Sequence, residues 1–72
     1  MTTANVTAAD RARAAAALPR FEGELANVEE RISGLRASCD AHVFDAHPEV
    51  RWLEGRCASL RAHISMLRAE AA

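Results

Sequence analysis

The segment from Cys39 to Val50 concentrates side chains that could do chemistry. Its sequence, CDAHVFDAHPEV, contains one cysteine, two histidines, two aspartates and one glutamate, and Cys57 and His63 follow downstream. Thiolate, imidazole and carboxylate groups are the usual zinc ligands, and a cysteine beside a histidine can act as a nucleophile. Three interpretations therefore compete: a metal site, a redox or catalytic cysteine, and a polar turn between two helices.

The candidate metal ligands are Cys39, His42, Cys57 and His63, spaced as C-x2-H and then C-x5-H. A structural zinc site needs four ligands that converge as a tetrahedron. Cys39 and His42 share one face of a predicted helix, whereas Cys57 lies on a second helix and His63 points to the flank of that helix. We therefore expect no metal ion and no other cofactor here.

The two cysteines are expected to be small core residues. In the helical register described below they lie four residues apart in axial level, roughly 6 Å, on different helices. A disulfide needs Cα atoms within about 7 Å and converging Cβ vectors. A nucleophile needs a base and an oxyanion donor in a pocket, and a two-helix hairpin offers no obvious pocket. We expect free thiols and no enzyme activity.

Length and composition limit the remaining possibilities. The chain has 72 residues, nine arginines, no lysine and a net charge of −1, with acids and bases interleaved. A nucleic-acid interface should show a basic stripe with aromatic residues, and none is present. The longest apolar run, residues 14–18, is far shorter than the ~20 residues of a spanning helix. We expect a cytoplasmic protein without a secretory signal and with reduced thiols.

Helix signals divide the chain into segments. Residues 1–6 are expected to be a flexible tail, and residues 7–72 a single helical domain. Thr7 to Asp10 resembles a capping box, and Pro19 predicts a break. We therefore expect a short helix over about 8–17, a new or kinked helix over about 19–42, a turn over about 43–47 and a helix over about 48–69, where Pro48 and an acid open the last helix.

Two heptad seams, with apolar residues alternating in steps of three and four, predict an all-α antiparallel helical hairpin that resembles a coiled coil. With its short N-terminal helix, this hairpin could complete a bundle with a partner. The first seam runs from Leu18 to His42 and the second from Val50 to Ala71. The expected hairpin core consists of Leu25, Val28, Ile32, Leu35, Leu53, Leu60, Ile64 and Leu67.

The charges beside the seams predict the register. With the turn centred near residue 46, three complementary ion pairs form on one flank: Glu22 with Arg68, Glu29 with Arg61, and Arg36 with Glu54. The same register stacks Leu25 on Leu67, Cys39 on Leu53 and His42 on Val50. The other flank matches less well, because Glu24 falls near Glu70 and Arg31 near His63.

Apolar residues outside the seams predict a binding surface. Trp52 and Met66 lie two heptads apart on the outward side of the last helix, with Ser59 between them, and Val43 and Phe44 add apolar surface at the turn. One interpretation is that the N-terminal helix folds back over Trp52 and Met66. The other, which we favour, is that these four apolar residues bind a partner, because Trp and Met are enriched at protein contacts.

The layout of the chain resembles that of the small helical-hairpin co-chaperones of type III secretion needle subunits, the YscE/PscE group. The similarity covers about Thr7 to Leu67: a capped N-terminal segment, an amphipathic helix, the Pro48-Glu49 turn and a second helix. It implies binding to a tetratricopeptide-type chaperone or a secretion subunit. The chain departs from the group by placing Trp52 and two arginines after the turn. The stretch EVRWLEGRCASLRAHISML is also similar in rhythm to YdcH- and SlyX-like hairpins.

These observations favour a non-catalytic interaction module, either a co-chaperone or an assembly adaptor, that covers an apolar surface of another protein. It would use no membrane and no nucleic acid. Three alternatives stay open. One is a phage or regulatory inhibitor that uses the same surface or an acidic set, which comprises Glu22, Glu24, Glu29 and Glu30. The second is a homodimeric four-helix structural protein, and the third is a metal- or thiol-responsive switch.

Overall fold

The computed structural model describes residues 7–72, which form an all-α antiparallel hairpin. Helix α1 spans Ala8–Ser38, α2 spans Ala41–Ala46 and α3 spans Pro48–Ala71. The two long helices pack along each other, and α2 lies in the connection between them. The predicted fold class is confirmed, and the described residues contain no strand. The tail that we expected at residues 1–6 lies outside the described part of the chain.

Helix α1 begins with the predicted capping box. The Thr7 hydroxyl accepts a hydrogen bond from the Asp10 backbone N–H at 3.1 Å, and Asp10 Oδ2 accepts one from the Thr7 backbone N–H at 3.3 Å. These bonds satisfy two donors that a helix N-terminus otherwise leaves without partners. The bond from the Thr7 backbone lowers the pKa of Asp10 below its ordinary value.

The predicted break at Pro19 does not occur, so the prediction of a separate short N-terminal helix was wrong. Helix α1 runs through Pro19 without interruption. Alanines before Pro19 are strong helix formers, and Ala14 is 3% exposed in a groove that it shares with Leu67 on α3. Packing of this first segment against α3 therefore outweighs the cost of an internal proline. The segment extends α1 and does not fold back over Trp52.

The connection starts earlier than predicted. Helix α1 ends at Ser38, whose hydroxyl donates to the Gly34 carbonyl at 2.6 Å, and Cys39 is extended. The short helix α2 then buries Phe44, which is 6% exposed, beneath the Arg36 guanidinium at 5.0 Å from its ring centroid. Phe44 is therefore a core residue and not the exposed contact that we predicted. His42 is exposed and lies outside the seam to which we assigned it.

Helix α3 begins as the sequence predicts. His47 is its N-cap, and the ring Nδ1 accepts a hydrogen bond from the Glu49 backbone N–H at 3.1 Å. Pro48 occupies the first turn, where the missing N–H costs no hydrogen bond. The chain thereby enters α3 at a defined angle immediately after α2.

The core is concentrated on α3. Five residues of its inner seam are at most 5% exposed: Val50, Leu53, Cys57, Leu60 and Ile64. Leu67 on α3 and the facing apolar residues of α1 are half-buried; the latter are Leu18, Phe21, Leu25, Val28, Ile32 and Leu35. The predicted core residues therefore all face inward, but those on α1 keep part of their surface in solvent.

The register differs from the prediction by about one heptad. The rings of Phe21 and His63 lie 4.5 Å apart, whereas the predicted register placed Phe21 level with Ala71, roughly 12 Å further along α3. The helices fold back midway between Ser38 and Pro48, and not near residue 46. A shift of one heptad keeps apolar positions facing each other, so the same residues form the core while their pairings change.

Four ion pairs join α1 to α3. Two of the predicted pairs form: Arg68–Glu22 at 2.9 Å and Arg61–Glu29 at 2.7 Å. Arg36 contacts Phe44 and makes no ion pair with Glu54 within the described residues, so the third pair was wrong. The prediction for the other flank, which placed Glu24 near Glu70 and Arg31 near His63, was also wrong. Arg56 pairs with Glu24, and Arg31 pairs with Glu49. Exposed pairs contribute a few tenths of a kcal/mol each, and their main effect is on register.

The hairpin is elongated. Its principal extents are 50 × 22 × 13 Å and its radius of gyration is 16.2 Å, compared with about 11 Å expected for a compact chain of this length. Its smallest extent, 13 Å, is close to the diameter of one helix with side chains, about 10–12 Å. Much of the surface of both long helices is therefore exposed.

We expect Pro19→Ala to stabilise the hairpin. The substitution restores a backbone donor and removes the clash of the proline ring with the carbonyl of the fourth residue before it, a gain of up to about 3 kcal/mol. Urea unfolding followed by circular dichroism measures it. Gly23→Ala is a matched control in α1, because its added Cβ meets nothing within 4 Å, and should add about 1 kcal/mol. An unchanged midpoint for Pro19→Ala would contradict the continuous helix.

Candidate functional site

The four candidate metal ligands do not converge. Cys57 is 4% exposed in the inner seam of α3, and Cys39 is half-buried beside α2. His42 is exposed, while His63 stacks on Phe21. Across residues 7–72, no group of three or more His, Cys, Asp or Glu side chains is arranged to hold a metal ion.

The remaining polar residues of the opening segment organise the connection. His47 caps α3, and Glu49 receives two hydrogen bonds from the Arg31 guanidinium, at 3.0 and 3.1 Å. The bond from Arg31 lowers the pKa of Glu49, and the same contact raises the pKa of Arg31. The contact with Arg31 joins the start of α3 to the C-terminal third of α1. The segment is therefore a structured turn, in agreement with the third interpretation.

The clefts between the helices are open grooves crossed by ion pairs. One groove is lined by Ile32 and Cys57 together with Glu29, Arg36 and Arg61. It contains no histidine that could deprotonate the thiol, and the guanidinium of Arg61 is bonded to Glu29. This arrangement provides no nucleophile with a positioned base. The candidate functional site is therefore an exposed surface of α3 and not one of these grooves.

The predicted apolar contacts on α3 are exposed. Trp52 is 67% exposed and Met66 is 59% exposed, and Val43 on α2 is 44% exposed. An isolated exposed apolar residue needs no explanation. Trp52 and Met66, however, occur on the same side of one helix, which makes their exposure informative.

Trp52 and Met66 belong to a second seam of α3, which we call the outer seam. Its members recur in steps of three and four residues, are all exposed and carry no charge. They are Trp52, Gly55, Ser59, Ala62, Met66 and Ala69. Trp52, Ser59 and Met66 were predicted from the sequence. Gly55, Ala62 and Ala69 were not, because small residues carry little hydropathy signal. Their heptad spacing was the signal that could have revealed them.

The charges of α3 lie between its two seams and do not interrupt the outer one. From Trp52 onwards they occupy two flanks: Glu54, Arg61 and Arg68 on one, and Arg56 and Glu70 on the other. Four of the charged residues of α3, counting Glu49, already pair with α1. A surface helix usually carries charged or polar residues on the face opposite its core, so the absence of charge from the outer seam is unusual for an exposed face. The outward face of α1 differs, because it carries Arg20, Asn27 and Glu30.

The acidic set predicted for an inhibitor is largely engaged within the chain. Glu22, Glu24 and Glu29 each accept a hydrogen bond from an arginine of α3. Three of the four carboxylates are thus balanced by adjacent guanidinium groups. They do not form the row of uncompensated negative charge that mimicry of a nucleic acid requires.

The fold and this surface define a small all-α hairpin with an exposed, uncharged helix face. In comparisons with protein-family models, curated proteins and solved structures, nothing matches this chain. The resemblance to secretion co-chaperones therefore stays a prediction. Within residues 7–72, neither long helix is apolar enough over a sufficient length to cross a bilayer.

The two thiols should differ in their reactivity. We expect a thiol reagent such as Ellman's reagent to modify Cys39 in the native protein, while Cys57, at 4% exposure, reacts at the rate of unfolding. Intact-mass spectrometry over time measures both steps. Cys39→Ser should remove the fast step and leave the slow one. Equal rates for the two thiols would contradict the placement of Cys57 in the core.

The contact between Arg31 and Glu49 should make the turn sensitive to acid. Because its pKa is lowered from an ordinary value of 4.5, Glu49 contributes stability that is complete above that value and is lost as the pH falls through the lowered pKa. Arg31→Gln should raise the pKa of Glu49 towards 4.5 and reduce the acid sensitivity of unfolding. Carboxyl NMR titration measures the shift, and Asp10, whose pKa depends mainly on Thr7, is the internal control.

Proposed function

We propose that this protein is a non-catalytic interaction module that covers an apolar surface of a partner protein with the outer seam of α3. The single observation that carries the proposal is that this seam, including Trp52 and Met66, is exposed and uncharged over five helical turns. Exposed apolar surface of this kind usually marks a contact with another molecule. The remaining charges of α3 border the contact and would form its rim.

Trp52 and Met66 are the anchors of the proposed contact. Both are large side chains that would enter pockets of the partner, and Trp is among the residues that most often dominate binding energy. Ser59 and Ala62 between them are small, so the backbone of α3 could approach the partner closely. The mode is therefore a helix laid in a groove, or a helix that completes a bundle.

Within this class we favour a co-chaperone or assembly adaptor. Such a protein shields an apolar surface of another protein until assembly, a task that requires an exposed binding face and no active site. The hairpin layout resembles the secretion co-chaperones named above, which supports a tetratricopeptide-type chaperone or a secretion subunit as the partner. Because Cys39 and Cys57 are both free, we propose that binding takes place in the cytoplasm.

Substitution of the two anchors should abolish partner binding without unfolding the hairpin. We expect Trp52→Ala with Met66→Ala to reduce recovery of a stoichiometric partner strongly, since a hot-spot residue contributes about 2 kcal/mol or more, roughly 30-fold in affinity. Tagged protein is purified from its native host, and co-purifying proteins are quantified by mass spectrometry. Circular dichroism verifies that both variants remain folded.

The matched control replaces two exposed residues on the outward face of α1, Asn27→Ala with Glu30→Ala, and should leave recovery unchanged. Loss of a chaperone or secretion subunit with the α3 variant alone supports the adaptor. A nuclease or polymerase as the partner would replace the adaptor with the inhibitor. Equal recovery with both double variants would show that α3 does not bind the partner.

A further inference from the structure

The outer seam has an order of side-chain sizes that fits a copy of itself. Along α3 it reads large, small, small, small, large, small, from Trp52 to Ala69. An uncharged seam with steps of three and four packs against another such seam. We propose that, in the absence of its partner, the protein forms a symmetric homodimer in which the outer seams of two α3 helices pack antiparallel. The proposal shares its surface with the proposed function and concerns the unbound state.

One antiparallel register brings all six seam positions into contact. In it, Trp52 lies opposite Ala69 of the second copy, Gly55 opposite Met66, and Ser59 opposite Ala62. The two-fold axis repeats these three contacts with the roles of the two copies exchanged. Every large side chain then faces a small one, which is the condition for close packing without voids or overlaps. If one α3 is shifted by one heptad along the other in either direction, some residues of each outer seam face no seam residue of the second copy.

Charges beside the seam agree with this register. Within the monomer, ion pairs on one flank run diagonally: Glu29 bonds Arg61, and Glu22 bonds Arg68. On the corresponding flank of the outer seam, the same diagonal brings Glu70 of the second copy to Arg56, whose guanidinium also bonds Glu24 within the monomer. Glu70 makes no ion pair within residues 7–72, so the dimer would supply one. The opposite flank carries Arg51, Ala58 and Ser65. Its diagonal brings Arg51 to Ser65 of the second copy, so no like charges meet there.

The dimer would be weak, and this suits an adaptor. The seam from Trp52 to Ala69 spans about 27 Å of helix, and one helix pair of this length lies at the small end of specific interfaces. Self-association would hide Trp52 and Met66 from solvent and from incorrect contacts. A partner that binds the seam more tightly would displace the second copy, so that the two contacts are mutually exclusive.

Trp52 is the single tryptophan of the chain and reports on the contact directly. In the monomer Trp52 is 67% exposed, whereas in the dimer its indole lies against the second α3. We expect its fluorescence emission to move to longer wavelength on dilution of the purified full chain from roughly millimolar to submicromolar concentration, a range that covers weak association. Sedimentation equilibrium should show the mass change from dimer to monomer over the same range.

Ala62→Glu is the decisive variant, because it places one carboxylate from each copy in the seam and like charges there oppose binding. We expect it to weaken dimerisation at least roughly tenfold. The matched control is Ala16→Glu, an exposed alanine on the outward face of α1, which should dimerise like the unmodified protein. Circular dichroism tests that both variants are folded.

Three results would overturn the homodimer. The first is a monomeric mass at the highest concentration with constant Trp52 emission. The second is a dimer whose formation leaves the emission of Trp52 unchanged, because the contact would then lie elsewhere. The third is an equal effect of Ala62→Glu and Ala16→Glu. Because purified protein alone is used, each result is independent of whether a partner is later recovered from the host.

Discussion

The packing of the inner seam of α3 against α1 is the interaction on which the rest of the structure depends. Five residues of α3 lose almost all their solvent contact there, whereas the facing residues of α1 remain half-exposed. With so small a core, the ends of the helices must be fixed by local contacts. The Thr7–Asp10 box, the His47 cap and the burial of Phe44 serve this purpose, and they determine where α3 meets α1.

The helices and their inward faces could be predicted from the sequence, because apolar spacing and capping residues are local signals. The register could not, because a heptad pattern matches itself after every seven residues. The pairs Glu22–Arg68 and Glu29–Arg61 fit the predicted register and also form diagonally in the observed one, since an arginine side chain is long enough to reach a neighbouring level. The deciding contacts join different helices: Phe44 of α2 lies beneath Arg36 of α1, and Phe21 of α1 lies against His63 of α3.

The errors at Pro19 and Phe44 have a common physical origin. Proline predicts a helix break through a local backbone cost, but the segment before it packs on α3 through Ala14, and that tertiary contact compensates for the cost. An aromatic residue in a turn suggests an exposed contact, but α2 folds Phe44 against the end of α1. Trp52 and Met66 were predicted correctly as exposed because their position on α3 opposes the inner seam, whatever the register.

Under the proposed function, the two seams of α3 separate folding from binding. Changes to Leu53 or Leu60 act on the core, whereas changes to Trp52, Ala62 or Met66 act on a surface that the monomer does not need. The two functions are nevertheless coupled, because a ligand that binds the folded state stabilises it in proportion to the logarithm of its concentration above Kd. For a hairpin with one thin core, a partner or a second copy on the outer seam covers the other side of α3. Because α3 also supplies most of the core, such a contact would stabilise the whole hairpin and not α3 alone.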